Sequence, residues 1–521
     1  MLAILLTCIL LLPASVSATT DSEQARLDVA VASFYELRKH APAWTDSDRR
    51  QALLDALAEV ERDGLDPDDY HLSTLRQHWS TASPPPDIDT ERLATRAAIR
   101  ALSHLLGGKL DPRQINPDWN FQARQIDTDR ELRGLSDAID QNRLLDHFAG
   151  SHPAHPFYHR LKAGLHWLRR IERSGGWPSI GPGPTLRLGQ RDPRVGLLRR
   201  RLSIGGYQPG PGQPAPDESG LGQSGLDQPD PELFDQALEQ AVKHFQREHR
   251  LTADGAVGNT TLAELDRPIE ARIDQMRVNL ERARWLLHET SREFLLVDIA
   301  GFKASYFVDG EPVWHTRIQV GQPFRKTPEY RSLITHIDLN PTWTVPPTIF
   351  RKDILPKLRR DLGYLDQQRM QVLDAHTGQR LDPTAIDWSD PRGILIRQDA
   401  GPGNALGRVA IRFANPYAIY LHDTPHSAIF SRDERAVSSG CIRVEHPLDL
   451  VERLLADPEH WSRERIEAAI AQGHSTRIHV PRAVTLLLAY WSVDVHADDR
   501  VSFRRDIYAR DAIILSALNQ R

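Results

Sequence analysis

Residues 438–443 read SSGCIR, and the cysteine of this stretch, Cys441, is one of only two cysteines in the 521-residue chain. The other, Cys8, lies in the apolar run 1–12, which is followed by Val16-Ser17-Ala18. Such a run is typical of a secretory signal and is too short to span a bilayer. The sequence therefore predicts a signal peptide over residues 1–18 and an exported mature chain with one thiol. Because a free thiol is a liability in an oxidising compartment, we interpret Cys441 as a reactive group rather than a buried structural cysteine.

A histidine precedes this thiol by nineteen residues. The aromatic and apolar run 417–421 predicts a buried strand that ends at His422, before a turn at Thr424-Pro425. An imidazole within hydrogen-bond reach would hold the thiol as a thiolate and later return the proton to a leaving amine. Gly440 leaves room for a substrate carbonyl, which the amide of Cys441 and a neighbouring N–H would bind as an oxyanion hole.

The order of a histidine, a polar loop and then Ser-x-Gly-Cys with an apolar residue and an arginine resembles the L,D-transpeptidase family, also called the YkuD-like domain. Residues 422 and 438–443 carry this resemblance. Ser439 stands where the commonest members have a second histidine, and this departure is similar to the large, YcbB-type branch. The stretches VGQP (320–323), KTP (326–328) and NPTWTVPP (340–347) resemble the opening of YcbB-type catalytic domains.

The spacing of apolar residues and the resemblance together predict a multidomain α+β protein. Helical periodicity follows the signal peptide, and a second helical block with Asp254-Gly255 resembles a small three-helix peptidoglycan-binding domain. Apolar runs separated by Asp309-Gly310 predict a β-hairpin at the start of a mainly-β catalytic domain. The predicted units are a helical scaffold domain over 21–180, a peptidoglycan-binding-like domain over 184–268, a linking helix over 269–290 and the catalytic domain over 291–521.

An insertion within the catalytic domain is also predicted. The resemblance implies that residues 347–390, approximately, form a capping subdomain over the substrate groove. The glycine-rich stretch 401–407 lacks the Lys-Ser/Thr of a phosphate-binding Walker loop, so we interpret it as a tight loop that borders the site.

Composition excludes several classes of protein. The net charge is −5 and basic residues are scattered, which argues against a nucleic-acid partner. No stretch after the signal peptide is long and apolar enough to span a membrane. The carboxylates Asp66, Asp68 and Asp69 lack the spacing and closing glutamate of a calcium loop. No cofactor and no metal are expected.

The resemblance implies a cysteine acyltransferase of the periplasm, an L,D-transpeptidase that makes 3→3 cross-links in peptidoglycan. Cys441 would attack a donor tetrapeptide stem at meso-diaminopimelate to form a thioester, and His422 would protonate the leaving D-alanine. An acceptor stem would then resolve the thioester. Cell-wall synthesis proteins are further expected partners, peptidoglycan biosynthesis and cell shape the expected processes, and carbapenems the expected inhibitors.

Three of the other predicted site residues keep two interpretations each. Arg443 orients a substrate carboxylate or forms a structural ion pair. Tyr420 and Trp343 line the groove or belong to the core. Ser439 donates a hydrogen bond near the thiolate, and Gly440 belongs to the oxyanion hole. The side chain of Asp423 is not favoured as the group that orients His422, because a backbone carbonyl has that role in the family.

Alternative functions remain open. A zinc site could be built from His422, His426, Cys441 and His446, although their spacing matches no common zinc pattern. A non-catalytic wall-binding protein would rely on the peptidoglycan-binding-like unit and would need no thiol. The same cysteine could also transfer the acyl group to water or to a free D-amino acid, as an L,D-carboxypeptidase or an exchange enzyme does.

Overall fold

The structure is a computed structural model that describes residues 15–80, 87–116, 119–121, 124–207, 230–288, 290–401, 403–496 and 498–520, with side chains from residue 23 onward. Most of the predicted signal peptide and nearly all of the low-complexity loop 208–230 lie outside these residues. Within the described part of the chain, no helix has both the length and the apolar character needed to cross a membrane.

The N-terminal region is helical, as predicted. Its helices are α1 (Ser15–Leu37), α2 (Ser47–Glu59), α3 (Leu72–His78), α4 (Ile88–Gly107), α5 (Pro112–Ile115), α6 (Thr128–Asp140), α7 (Leu144–Ala149) and α8 (Pro156–Arg173). The apolar positions that recur at helical spacing in α1, α2 and α4 pack into one core that includes Phe34, Leu53 and Leu102. Gly64 ends a short 3₁₀ turn at Val60–Asp63, which follows α2, with φ of 76°.

A second, smaller helical unit follows. It consists of α9 (Arg194–Ile204), α10 (Gln236–Glu248) and α11 (Asn259–Leu265). Val195, Leu198, Val242 and Phe245 belong to its buried core.

The linking helix is α12 (Ile269–Leu286). Its predicted apolar face is buried, but so are polar side chains on its other faces, including Arg272, Glu281, Arg282 and Arg284. The reason is that α8, the C-terminal helix and the second helical unit surround α12. These buried charges are therefore paired rather than solvated.

The catalytic region is a nine-stranded sheet. Its strands are β1 (Glu293–Asp298), β2 (Lys303–Val308), β3 (Glu311–Gly321), β4 (Tyr330–Leu339), β8 (Val409–Phe413), β9 (Leu421–His422), β10 (Ala436–Ser438), β11 (Ile442–Val444) and β12 (Thr476–Ala489), the numbers β5–β7 belonging to the insertion below. The order is β10-β3-β11-β9-β8-β4-β12-β1-β2, and β2 also pairs with β3, so the sheet closes on itself. The predicted hairpin is confirmed: Asp309 and Gly310 turn between β2 and β3 with φ of 51° and 83°.

The insertion forms a subdomain with a sheet and an apolar core of its own. It contains β5 (Trp343–Thr344), α13 (Pro347–Ile349), a wider π-type turn at Phe350–Ile354, α14 (Leu355–Leu358), α15 (Gly363–Gln367), β6 (Met370–Asp374) and β7 (Ile394–Gln398). The strand order is β5-β7-β6. Because Val345 and Ile396 belong to the same core as Leu358 and Val372, this unit extends beyond the predicted range 347–390 at both ends. We call it the cap.

The chain ends with a small hairpin and helices that pack around the sheet. These are α16 (Pro447–Leu455), α17 (Arg463–Ala471), β13 (Val493–Val495), β14 (Val501–Phe503) and α18 (Asp511–Leu518). Arg282 of α12 donates to Asp511 Oδ1 at 2.7 Å, which ties the end of the chain to the linking helix.

Candidate active site

Parallel strand pairing brings the two central candidates together. In the register of β9 and β11, Ile442 faces Leu421 and Arg443 faces His422. The amide of Ile442 also donates to the carbonyl of Tyr420 at 3.0 Å. Cys441, immediately before β11, therefore lies beside the strand that carries His422.

The predicted strand over 417–421 is wrong for most of its length, since only Leu421 is in β9. Asn415 explains the difference. Its Oδ1 accepts from the amides of Tyr417 and Ile419, both at 3.1 Å, and its Nδ2 donates to the carbonyl of Ile419 at 2.8 Å. A side chain that binds the backbone in this way favours a turn. The extended backbone ends at Ala418, where φ is 52°. The turn places the carbonyl of Ala418 3.9 Å from the Cys441 Sγ.

His422 is held by the backbone. Its Nδ1 lies 2.5 Å from the carbonyl oxygen of Asp423. Because a carbonyl can only accept, Nδ1 carries the proton, and Nε2 is left with the lone pair that a general base needs. Burial, with Arg443 as a further cause, lowers the pKa of His422 to about 3. The imidazole is therefore neutral at physiological pH.

The carboxylate of Asp423 points to a different partner. Its Oδ2 accepts from the Arg408 amide at 2.9 Å and from Arg408 Nε at 3.3 Å. Gly407 makes room for it, since a Cβ at that position would lie 2.6 Å from the Asp423 side chain. The carbonyl, rather than the carboxylate, of Asp423 thus orients the imidazole.

Cys441 is a partly exposed thiol with no disulfide partner among the described residues. Burial of its sulfur raises the pKa of the thiol to about 11, and the smaller effects of the Tyr420 amide and of Arg443 act in the opposite direction. This differs from the expected thiolate held by an imidazolium. Desolvation disfavours both charges, so the thiol and the imidazole are both neutral at rest.

A hydrogen-bonded frame supports the turn before the thiol. Gly440 has φ of 115°, a conformation that side chains rarely adopt. Ser438 Oγ accepts from the Gly440 amide at 3.1 Å and donates to the Cys441 carbonyl at 2.6 Å. Thr327 Oγ1 donates to the Gly440 carbonyl at 2.8 Å. Sequence reasoning assigned no role to Ser438 or Thr327, although both belong to the stretches that carry the resemblance.

Arg443 has no carboxylate partner among the described residues. Its Nη1 donates to Gln319 Oε1 at 3.1 Å, and its buried Nε has no acceptor. Burial lowers the pKa of its guanidinium, the Cys441 thiol acting in the opposite direction. The structural ion pair considered for Arg443 is thus absent from this part of the chain, and the guanidinium is free to meet a ligand anion.

Two cavities are lined by other candidate residues of the site. One, of about 240 Å³, lies under the cap and is lined by Trp343, Asp353 and Arg443 among others. The second, of about 640 Å³, is lined by Tyr420, Ala418 and Arg412 among others. Both aromatic candidates therefore line cavities. The Arg412 guanidinium lies 4.2 Å from the centre of the Tyr420 ring.

Ser439 is exposed and is paired with a residue that sequence reasoning missed. Its Oγ accepts from Arg325 Nη1 at 2.8 Å. The hydroxyl was expected to donate near the thiolate, whereas the structure directs it toward Arg325. Arg325 lies in the loop between β3 and β4, more than a hundred residues away in sequence, so no local pattern could indicate this contact.

The zinc alternative is not supported by the geometry. In the part of the chain that the structure describes, no three His, Cys, Asp or Glu side chains are arranged to hold a metal ion. His446 is mostly exposed, whereas His422 is buried and engaged with the Asp423 carbonyl.

Residues 292–479, which include this site, match the model of the L,D-transpeptidase catalytic domain. The chain contains an L,D-transpeptidase catalytic domain. Before it, residues 29–165 match a model described as "Scaffold domain", and residues 191–265 match a "Putative peptidoglycan binding domain". The helical N-terminal region, the smaller helical unit and the β-rich L,D-transpeptidase domain thus agree with the predicted fold class.

A curated protein of Haemophilus influenzae, named "Putative L,D-transpeptidase", is 32% identical over 220 residues, which are 42% of this chain and 44% of that protein. The chain thus matches less than half of the length of this relative. Solved L,D-transpeptidases from Mycobacterium smegmatis and Stackebrandtia nassauensis are 16% and 12% identical, cover 38% and 58% of this chain, and span 58% and 94% of their own. Their TM-scores of 0.17 and 0.22 are too low to support a structural argument.

Proposed function

We propose that the protein is an extracytoplasmic peptidoglycan L,D-transpeptidase of the periplasm, which forms 3→3 cross-links through a thioester on Cys441. The observation that carries this proposal is the pairing of β9 with β11, which sets Cys441 beside the strand that carries His422, whose Nδ1 is fixed by the Asp423 carbonyl. The peptidoglycan-modifying class of the catalytic domain and the match to a peptidoglycan binding domain favour the same substrate.

The first half-reaction starts from the neutral pair. His422 Nε2 takes the thiol proton as Sγ attacks the carbonyl carbon at the L-centre of diaminopimelate in the donor stem. The amide of Cys441 stabilises the oxyanion that forms. When the tetrahedral intermediate collapses, the imidazolium gives its proton to the nitrogen of the departing D-alanine, and a thioester remains.

The second half-reaction regenerates the thiol. The side-chain amine of diaminopimelate in an acceptor stem attacks the thioester and forms the new amide bond. His422 Nε2 accepts the proton that the amine loses, and the departing thiolate recovers it. Arg443, which lines the cavity under the cap and has no carboxylate partner among the described residues, would bind a carboxylate of the stem.

The domain arrangement serves this chemistry. We propose a scaffold domain over 21–180, a peptidoglycan-binding-like domain over 184–268 and a catalytic domain over 291–521 that carries the cap, after a signal peptide over 1–18. Such an enzyme is also expected to be acylated by carbapenems at Cys441.

Incubation of the protein with muropeptides that bear tetrapeptides tests the proposal. We expect cross-linked dimers that have lost one D-alanine, measured by mass spectrometry. The Cys441→Ser variant, with an unchanged melting temperature, should give none. Release of tripeptide without dimers would identify an L,D-carboxypeptidase instead. No covalent chemistry at all would identify a wall-binding protein and contradict the proposal.

A further inference from the structure

Arg325 connects the cap with the turn that carries the nucleophile. Its Nη1 and Nη2 donate to the two carboxylate oxygens of Asp353, at 2.5 and 3.0 Å. Its Nη1 also donates to Ser439 Oγ at 2.8 Å. Asp353 belongs to the π-type turn of the cap, and Ser439 lies two residues before Cys441. One guanidinium thus bridges the cap and the turn that carries Cys441.

The carboxylate in this bridge is one that a ligand can replace. The Asp353 side chain is 41% exposed, whereas that of Arg325 is 13% exposed. An ion pair at the solvent edge contributes little stability, because water solvates the released carboxylate well. The Arg325 side chain is the more covered partner, and its Nε is buried without an acceptor, so this guanidinium gains more from a bound carboxylate than Asp353 loses on release to water.

The cavity next to the bridge is suited to an acidic ligand. Asp353 lines it together with Arg443 and Lys357. Arg443 has no carboxylate partner among the described residues, and Asp353 is already paired with Arg325. The balance of charge at this wall is therefore positive, and a bidentate guanidinium fits a planar carboxylate.

We propose that Arg325 is a carboxylate-binding residue for the donor stem, and that Asp353 occupies it in the free protein until an acidic stem displaces that side chain. The cap is thereby tied to the nucleophile turn while the site is empty. On binding, the ligand carboxylate replaces Asp353 and leaves the bond from Arg325 to Ser439 in place. This inference rests on the proposed function, because it takes the peptidoglycan stem as the ligand.

The test measures binding without reaction. The full chain with Cys441→Ser is titrated calorimetrically with a tetrapeptide muropeptide, and with the same muropeptide amidated at its free carboxylates. Asp353→Asn removes the internal competitor, so we expect the acidic muropeptide to bind about two- to fivefold more tightly. Arg325→Gln should weaken binding of the acidic muropeptide about three- to tenfold and leave the amidated one nearly unchanged.

Asp390→Asn is the matched control, because Asp390 also lies in the cap and forms an exposed ion pair with Arg392. It should change neither affinity. If Arg325→Gln fails to show a normal melting transition, the Asp353→Asn variant decides alone, since a purely structural tie predicts the opposite sign. Unchanged or weaker binding by Asp353→Asn would overturn the inference and leave the proposed function intact. Failure of the parent protein to bind either muropeptide would overturn both.

Discussion

His422 and Cys441 are both uncharged at neutral pH, because burial shifts their pKa values in opposite directions, to about 3 and about 11. In such a site the thiolate forms only as the proton moves to Nε2 during attack. The free protein is then protected from oxidation, since the thiolate is the species that oxidants attack. The same neutrality makes the reactivity of the thiol depend on a bound acyl substrate.

The pH profile of thiol alkylation tests this neutrality. We expect iodoacetamide to label Cys441 slowly at pH 7 and faster as the pH rises, with an apparent pKa above the ordinary value of about 8.5. Peptide mapping by mass spectrometry separates Cys441 from Cys8. A labelling rate that is already maximal near pH 7 would show that an imidazolium holds a thiolate in the resting protein.

Because the carbonyl and the carboxylate of Asp423 have different partners, substitutions at Asp423 and at His422 should have different effects on acylation. Asp423→Asn keeps the backbone carbonyl that orients His422, so acylation of Cys441 by a carbapenem should change by no more than about threefold. His422→Ala removes the base and should slow the same acylation by about a hundredfold or more. The rate of appearance of the covalent adduct is measured by intact-protein mass. A loss in Asp423→Asn as large as that in His422→Ala would restore the carboxylate as the orienting group.

Helix α8 shows how one element depends on the charge of a histidine. His155 is its N-cap, and Nδ1 accepts from the Phe157 amide at 3.1 Å, which requires an unprotonated nitrogen. Burial lowers the pKa of His155 to about 4, with Arg160 and His159 acting in the same direction. The aromatic side chains of Phe294 and Phe307 lie against its ring, so this N-cap residue joins the helical region to β1 and β2.

Because folding lowers the pKa of His155, the protein should become less stable as the pH falls. Above about pH 6.5 neither the folded nor the unfolded state protonates His155; as the pH falls toward 4, only the unfolded state gains the proton, and stability is lost. Asn caps helices without titrating. Between pH 7 and pH 5, His155→Asn should therefore lose about 2 kcal/mol less of its free energy of unfolding than the parent protein does. Urea unfolding at the two pH values measures this, and an equal loss in both proteins would contradict it.

The cap illustrates a limit of local patterns at the element scale. The resemblance implied a cap over about 347–390, but its sheet pairs β5 with β7 across more than fifty residues. Similarly, the run 417–421 has the composition of a strand, yet the side chain of Asn415 binds the backbone and turns it. In both cases a contact with another residue, rather than local strand or helix propensity, decided the structure.

The whole molecule is assembled around α12. Arg284 and Glu281 are fully buried and form an ion pair through Arg284 Nε at 3.1 Å and Nη2 at 2.5 Å. Arg284 Nη1 also donates to the Asp63 carbonyl at 2.6 Å, in the N-terminal helical region. Glu281 Oε1 accepts from the Leu110 amide at 2.8 Å. One buried pair thus connects the linking helix with two segments that precede it by more than 170 residues.

Breaking this pair on one side leaves a charge buried without a partner. Arg284→Met should lower the free energy of unfolding by about 3–5 kcal/mol. Adding Glu281→Gln, which removes the orphaned charge and keeps an acceptor for Leu110, should restore more than half of that loss. Urea unfolding measures both variants. Arg62→Met, which breaks an exposed pair with Glu59, is the control and should cost no more than about 1 kcal/mol.

An Arg284→Met variant that is as stable as the parent protein would show that the linking helix and the N-terminal helical region are joined by other contacts. A double variant no more stable than Arg284→Met would show that the lost hydrogen bonds of Arg284, and not the unpaired charge of Glu281, account for the cost.

The sequence by itself determined the helices with one apolar face and the hairpin at Asp309-Gly310. It also identified Cys441 and His422 as the candidate catalytic residues. These features depend on residues that are close in the chain, or on a motif whose spacing is short. Only the tertiary structure decided that α12 is buried on its polar faces, that the sheet closes on itself, and that Arg325 lies between Asp353 and Ser439. A charged residue reads as solvent-exposed until a partner from a distant segment satisfies it, and no local pattern specifies that partner.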